Sequence, residues 1–155
     1  MAVQLCDIDL PHAVILAPMS GVTDWPFRRA VRRAGGGLVV TEMIASAAML
    51  AEVKTEMRKL KTEVATEAPL SIQLAGWEPS VMADAAKVSA DLGASIIDIN
   101  MGCPDRSIEK QGAGAAMINA PELAKEIIAA AKQTIEIEAN AILHLSTLID
   151  DDFAN

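Results

Sequence analysis

The sequence predicts an α/β protein whose parallel sheet is one part of a (β/α)8 barrel. Short β-branched runs alternate with longer stretches of helical spacing, polar residues stand where the strands end, and the chain has only 155 residues. A complete barrel of this kind takes about 250 residues. We therefore expect about four βα units and a fifth strand, with the later units missing from this sequence.

The first unit is marked by its turn and cap residues. A strand is expected at residues 14–17 and is followed by a tight turn. Asp24 then stands as a helix N-cap, with Pro26 in the first turn, where a missing N–H costs nothing. The helix is predicted to run to about Ala34 and to end at the three glycines 35–37. Its four arginines are typical of an exposed helical face.

The second and third units follow from β-branched and alternating runs. Residues 38–42 predict a second strand, and residues 44–64 are predicted to be helical with basic residues on the solvated side. Residues 70–74 alternate strictly between apolar and polar side chains, which predicts a third strand. A helix is expected over residues 79–92, because its apolar residues recur on one helical face.

The last predicted elements are a fourth strand at residues 96–100, a loop at 105–114 and a helix over 121–134. A fifth strand is expected at residues 141–145. Alternating strands and helices favour a parallel sheet covered by helices. Such a sheet is either an open, doubly wound sheet or part of a barrel.

Polar residues in the strands decide between these two architectures. Gln73 and Asn100 lie near the carboxyl ends of their strands, on the same alternation face as Ser71 and Asp98. Polar groups at strand carboxyl ends mark the active face of a barrel. This placement favours the partial barrel.

Charge and cysteine content exclude several classes of protein. The net charge of −8 argues against non-specific binding to nucleic acid by the chain as a whole. The longest apolar runs fall far short of the roughly 18 residues of a membrane helix, and the first residues do not resemble a secretory signal, so a cytoplasmic protein without a membrane span is expected. Cys6 and Cys103 are expected to be free thiols, and no metal ligands are predicted.

The run Asp-Ile-Asn-Met-Gly-Cys-Pro at residues 98–104, with Gly112 and Gly114 soon after it, is the most specific feature of the sequence. A thiol on a glycine- and proline-bearing loop at the mouth of a strand is presented to a cleft. The alternative, a small buried apolar side chain, is the commoner role of an arbitrary cysteine.

Two further motifs accompany this run, Ala-Pro-Met-Ser-Gly-Val-Thr-Asp-Trp-Pro-Phe-Arg at residues 17–28 and Ser-Ile-Gln-Leu-Ala-Gly at residues 71–76. With them the chain resembles the tRNA-dihydrouridine synthase family, and most closely its bacterial B-type subgroup. The similarity runs without obvious gaps from residue 13 to residue 131. Related flavin barrels share the fold and the cofactor, but the asparagine-x-glycine-cysteine-proline run is particular to the synthases.

The resemblance implies an FMN-dependent (β/α)8 barrel that reduces a uridine of tRNA to 5,6-dihydrouridine, with NADPH or NADH as the reductant of the flavin. It implies that Pro18, Met19 and Ser20 lie against the isoalloxazine ring and that Gln73 hydrogen-bonds the flavin. The family's asparagine that faces the bound uracil is matched by Asn100.

Cys103 matches the proton donor of the family. Hydride transfer to C6 of uracil leaves enolate-like charge that a proton at C5 must quench. A thiol is protonated at neutral pH and yet gives up its proton readily, as a general acid must. Arg106 and Lys110 follow on the same loop, where they either contact tRNA phosphate or are solvated loop charges.

The sequence also departs from the family. The C-terminal helical tRNA-binding domain and the loops that hold the flavin phosphate are expected to be absent. His144 and Ser146 stand where the family's fifth strand carries a lysine and an arginine. An incomplete barrel would expose apolar edges through which the chain could self-associate. Two alternatives therefore stay open: a non-catalytic remnant of such an enzyme, and a flavin barrel acting on a small molecule.

Overall fold

The computed structural model of the protein describes residues 3–5 and 7–148, except for the side chains of residues 64, 65 and 138–148. An antiparallel hairpin precedes a four-stranded parallel sheet. The strands are β1 (Val3–Leu5), β2 (Ile8–Leu10), β3 (Val39–Val40), β4 (Ile44–Ala45), β5 (Leu70–Ala75) and β6 (Ile96–Ile99). The helices are α1 (Trp25–Arg33), α2 (Ser46–Leu50), α3 (Lys54–Lys59), α4 (Val64–Glu67), α5 (Pro79–Asp91), α6 (Arg106–Glu109) and α7 (Pro121–Leu148), with a 3-10 helix at Gly114–Asn119.

The N-terminal hairpin is not among the elements that the sequence predicts. β1 and β2 pair Val3 with Leu10 and Leu5 with Ile8. Each strand has only three residues, too few for alternation between polar and apolar side chains to be recognised. Leu10 is buried, whereas Val3 and Leu5 are exposed.

The parallel sheet is built around β5, whose six residues are all buried. β6 pairs with one edge of β5, from Ser71 opposite Ile96 to Leu74 opposite Ile99. β3 and β4 both pair with the other edge. The predicted third and fourth strands are therefore confirmed. In the part of the chain that the structure describes, the outer edge of β6 has no partner strand.

The predicted second strand is present, but it is longer than expected and is interrupted by a bulge. Val40 pairs with Ser71 and Ile44 pairs with Leu74, so this strand has one more residue than β5 over the same distance. At the bulge the Thr41 hydroxyl accepts a hydrogen bond from the backbone N–H of Gln73, at 3.0 Å. The side chain thus replaces a backbone acceptor and keeps the two strands together.

Residues 44–64, which are predicted to be helical, are helical only in part. Residues 44 and 45 belong to β4, and the remainder folds into the short helices α2 and α3 and the start of α4. Glu52, between α2 and α3, has a φ of 53°. This left-handed conformation is unfavourable for a residue with a side chain and ends the first of these helices.

The first predicted strand forms a shorter ladder than expected. Ile15 makes a single parallel bridge to Leu38, and the Leu16 N–H donates to the Leu38 carbonyl at 2.9 Å. The extended segment at residues 14–16 therefore lies beside β3. Within the described residues, the order of the parallel strands across the sheet follows their order in the chain, without the reversal that a doubly wound sheet has at its switch point.

Helix α1 begins as the sequence predicts, because the Asp24 carboxylate accepts a hydrogen bond from the Phe27 N–H at 3.0 Å. The expectation of an exposed face does not hold for all of its arginines. Arg28 is fully buried, and its Nε donates to the fully buried Glu67 carboxylate at 2.5 Å. This ion pair joins α1 to α4.

The predicted fifth strand at residues 141–145 is wrong, because these residues continue helix α7 to Leu148. Residues 122–148 contain neither glycine nor proline, so nothing in the sequence ends the helix near Thr134. His144 and Ser146 accordingly lie in a helix. None of the helices among the described residues, α7 included, combines the length and the hydropathy needed to cross a bilayer.

The two faces of the sheet differ in character. Leu70, Ile72 and Leu74 of β5 are fully buried in one apolar cluster, to which α5 and α7 contribute buried side chains such as Met82 and Ile127. Fully burying an aliphatic side chain of this size stabilises the fold by about 1.5–3 kcal/mol. The alternate residues of β5 point to the opposite face, which leaves their polar groups available to form a site.

Candidate functional site

A cavity of about 540 Å³ lies at the carboxyl ends of the parallel strands. Five of the residues that the sequence singles out line it together: Pro18, Ser20, Gln73, Asn100 and Cys103. They come from the turn after residue 16, from β5, and from the segment after β6. Parallel strands place their carboxyl ends at one edge of the sheet, which brings these distant segments together.

The other predicted site residues lie outside the cavity lining. Met19 has an exposed side chain, and its backbone forms the turn by accepting from the Thr23 N–H and donating to the Thr23 hydroxyl. Arg106 begins α6 and Lys110 follows it, and both are exposed. The structure therefore places the two cations on the surface beside the cysteine loop.

Two amide side chains and a carboxylate form a chain of hydrogen bonds across the site. β5 and β6 pair Gln73 with Asp98, and Gln73 Nε2 donates to Asp98 Oδ2 at 2.8 Å. Asn100 Nδ2 donates to Gln73 Oε1 at 3.0 Å. These two bonds orient the Gln73 amide, with its nitrogen towards Asp98 and its oxygen towards Asn100.

Asn100 also shapes the cysteine loop. Its Oδ1 accepts hydrogen bonds from the backbone N–H groups of Cys103, at 2.9 Å, and Gly102, at 3.2 Å. On the other side the Cys103 carbonyl accepts from the Ala115 N–H at 2.9 Å. A side chain at Gly114 would place its Cβ 2.6 Å from that carbonyl oxygen, so this position requires glycine. The loop is thus held from both sides.

Cys103 is half-buried and is a free thiol. It lines the cavity, and it is not part of the apolar cluster between the sheet and the helices. The structure therefore places its sulfur in the same space as the amides of Gln73 and Asn100.

Asp105 begins the short helix that follows the cysteine. A hydrogen bond from the Ser107 hydroxyl, supported by one from the Ser107 N–H, lowers the pKa of the Asp105 carboxyl from its ordinary value. Because both donors stabilise the charged form, the carboxylate caps α6 as an anion.

The turn before α1 is attached to the second strand by a carboxylate. Glu42, which lies in the bulge, accepts a hydrogen bond from the Gly21 N–H at 2.5 Å. Gly21 has a φ of 75°, a conformation that glycine adopts without strain. Glu42 is nearly buried, and the adjacent Met43 lines the cavity beside Pro18.

Asp98 and Met43 also line the cavity. Alternation along β6 could have identified Asp98 as a site residue, since it lies on the same face as Gln73. The end of the predicted second strand, at Glu42 and Met43, is expected near the flavin, and Met43 reaches the cavity. Among the described residues, no three His, Cys, Asp or Glu side chains are grouped as metal ligands would be.

The chain is similar to known proteins over most of its length. The family model described as dihydrouridine synthase matches residues 15–153. A protein of Rhodobacter capsulatus named "Probable tRNA-dihydrouridine synthase" is 43% identical over 155 residues, which cover 100% of this chain and 47% of that protein. The tRNA-dihydrouridine synthase B of Pseudomonas aeruginosa is 41% identical over 135 residues, 87% of this chain and 40% of that protein.

The chain spans less than half the length of these relatives. The match nevertheless includes all three motifs and every residue of the cavity described above. By the extent of this match, the chain belongs to the dihydrouridine synthase family.

Proposed function

We propose that this chain carries the reducing centre of a tRNA-dihydrouridine synthase, which converts a uridine of tRNA to 5,6-dihydrouridine with FMN as cofactor and NADPH or NADH as reductant. The observation that carries this proposal is the shared cavity of Cys103, Gln73 and Asn100. A proton donor and two oriented amides in one cavity match the needs of uracil reduction.

The proposal includes the architecture. The strand at residues 14–16, the interrupted strand β3–β4, and β5 and β6 correspond to the first four strands of a (β/α)8 barrel. Their sequential order supports this, since each strand of such a barrel lies beside the next in the chain. The polar residues would then occupy the carboxyl-terminal mouth of the barrel, where active sites of this fold lie.

The residues present fit a flavin. Gln73 Nε2 has two N–H bonds and gives one to Asp98, which leaves the other for a ring atom of the cofactor. Pro18 and Met43 supply apolar surface to the same cavity, as a planar ring system requires. FMN, when bound, supplies the hydride for C6 of the uracil ring.

The chain's own residues supply the proton and the position of the base. Asn100 Nδ2 gives one N–H to Gln73 and keeps the second for the uracil ring. The Cys103 thiol gives its proton to C5 and becomes a thiolate, which completes the addition of hydride and proton across the C5–C6 double bond. The backbone of the cysteine loop is held by Asn100, so the proton donor and the base-binding amide are positioned by one side chain.

Flavin binding is the first test. The purified chain would be titrated with FMN, following flavin fluorescence and the visible absorbance of the bound form. We expect saturable binding. An absence of binding would contradict the proposal and favour the non-catalytic remnant.

The second test separates the two half-reactions. Cys103→Ala should slow flavin reoxidation by tRNA by at least tenfold and leave flavin reduction by NADPH unchanged, because only uracil reduction needs the proton. Cys103→Ser is the control for side-chain size. Equal slowing of both half-reactions would refute the role of Cys103. Reoxidation of the flavin by a small uracil derivative, but not by tRNA, would favour a small-molecule substrate.

A further inference from the structure

A second cavity, of about 510 Å³, has no part in the proposed chemistry. Trp25, Arg58 and Lys61 are among the residues that line it, and Arg29 lies over the same tryptophan ring. We call these four side chains the Trp25 surface. Trp25 and Arg29 belong to α1, Arg58 belongs to α3, and Lys61 lies two residues after the end of α3.

Two cations converge on one aromatic ring in this surface. The Arg29 Cζ atom lies 5.4 Å, and the Lys61 Nζ atom 5.1 Å, from the centroid of the Trp25 ring. Both distances are within the range of cation–π attraction. Arg28, buried against Glu67, donates from Nη2 to the Lys61 carbonyl at 2.9 Å. The interior of the protein therefore holds the two segments in this arrangement.

The cations of this surface are not neutralised. Among the described residues, Arg29, Arg58 and Lys61 have no carboxylate partner. The two carboxylates that border the cavity are engaged by backbone donors: Asp24 caps α1, and Glu42 holds the Gly21 N–H.

Hydrogen-bond donors also exceed acceptors at this surface. The indole Nε1 of Trp25 and the Nε of Arg29 are both buried, and neither has an acceptor in the described part of the protein. Buried donors without acceptors are uncommon in native proteins, so these two call for a partner from outside the chain, such as a water or a ligand oxygen.

The basic residues of the sequence are concentrated in the segment that forms this surface. Residues 24–67 contain eight of the 13 Lys and Arg residues but only six of the 21 Asp and Glu residues. This segment is cationic within an acidic chain. The overall charge, which argues against nucleic-acid binding by the chain as a whole, therefore does not describe the surface beside the site.

Two consecutive residues of the second strand line the two cavities. Glu42 lines the second cavity, and its neighbour Met43 lines the first. If the base of a nucleotide lies in the first cavity, the RNA backbone next to that nucleotide would pass the second cavity.

We propose that the Trp25 surface binds phosphate groups of the RNA backbone next to the nucleotide whose base enters the candidate site. The proposal rests on the proposed function, because it takes the ligand of the first cavity to be RNA. Arg58 and Lys61 provide the positive charge that phosphate contacts require.

The test compares RNA binding by two charge-matched double variants of the chain. Arg58→Gln with Lys61→Gln removes two cations of the surface, and Lys125→Gln with Lys132→Gln removes two exposed cations of α7. Binding of a fluorescently labelled, unmodified tRNA transcript would be measured by anisotropy at several salt concentrations. Thermal unfolding would show that both variants fold.

We expect the surface variant to bind the transcript at least tenfold more weakly than the unaltered chain, and the α7 variant to bind it nearly unchanged. Each lost phosphate contact removes about 0.9 from the slope of log K against log salt, so the surface variant should lose roughly 1–2 in slope. Equal weakening in both variants, no weakening in either, or no binding by the unaltered chain would overturn the proposal.

Two control titrations distinguish this proposal from the proposed function. If the surface variant keeps both its FMN affinity and its RNA affinity, the proposal for the Trp25 surface is overturned and the flavin site is left intact. A chain that fails to bind FMN while the surface variant loses RNA affinity would overturn the proposed function alone. Loss of NADPH affinity with RNA affinity retained would assign the surface to the dinucleotide and contradict the RNA proposal.

Discussion

Asp98 Oδ2 accepts a hydrogen bond from Gln73 Nε2 at 2.8 Å, across two strands that pair these residues directly. An amide can be turned by 180° with little change in shape, so its hydrogen bonds determine which end faces a ligand. The Asp98 oxygen is the acceptor in this bond, so the amide end that faces it is the nitrogen. Asp98 therefore fixes the Gln73 nitrogen on its own side and the oxygen towards Asn100.

This relationship predicts a positioning role for Asp98. Asp98→Ala should weaken FMN binding by about tenfold, since a hydrogen bond to a charged group contributes about 1.5–3 kcal/mol. Asp98→Asn retains an acceptor oxygen and should stay within about threefold of the unaltered chain. The measurement is a fluorescence titration with FMN. Equal weakening in both variants would show that the charge of Asp98, and not the orientation of Gln73, matters.

Asn100 should control the reactivity of the cysteine loop. Asn100→Ala removes the acceptor of the Cys103 and Gly102 N–H groups, so Cys103 should react several-fold faster with iodoacetamide. Asn100→Asp keeps the acceptor oxygen for the loop, and its negative charge disfavours the reactive thiolate, so Cys103 should react no faster than in the unaltered chain. Peptide mapping by mass spectrometry would follow Cys103 alone. An unchanged rate in the alanine variant would show that the loop is held without Asn100.

The buried pair of Arg28 and Glu67 predicts strong coupling between two substitutions. Arg28→Met or Glu67→Leu alone leaves an uncompensated buried charge and should lower the free energy of unfolding by about 3–5 kcal/mol. The double variant should lose clearly less than the sum of the two single losses. Urea denaturation of all four proteins gives the coupling energy. Additive losses would show that the pair contributes no interaction of its own.

Gly37 is predicted to tolerate no side chain. A Cβ at this position would lie 1.9 Å from the His12 carbonyl oxygen. That oxygen is a backbone atom close to the place where residues 14–16 pair with the second strand, so moving it away would disturb this pairing. Gly37→Ala should therefore lower the free energy of unfolding by about 3 kcal/mol.

The control for this prediction is Gly102→Ala, because a Cβ at Gly102 would meet no atom within 4 Å. Its effect should stay within about 0.5 kcal/mol. The free energies of both variants would come from thermal or urea unfolding. A stable Gly37→Ala variant would mean that the first strand segment can shift away from its neighbour.

The strands that carry the site were predictable because their patterns are local. Strict alternation identified β5, and a β-branched run identified β6, so Gln73 and Asn100 could be assigned to one edge of the sheet. The N-cap at Asp24 was predictable for the same reason, since a cap acts within one turn of helix.

The second strand and the end of α7 were not predictable in this way. The bulge at Thr41 depends on a hydrogen bond to Gln73, 32 residues away. Residues 141–145 have the apolar spacing of either a strand or a helix, and here they continue the preceding helix.

The sequence by itself determined the family, the strands β5 and β6, and five of the residues that line the cavity. These depend on short motifs and on side-chain periodicity, which each segment carries alone. Only the tertiary structure decided that Asp98 orients Gln73, that Glu42 holds the Gly21 turn, and that Arg29 and Lys61 both lie over the Trp25 ring. Each of those contacts either joins segments that are distant in the chain or depends on a side-chain conformation. A local sequence pattern contains no information about long-range contacts or side-chain conformations.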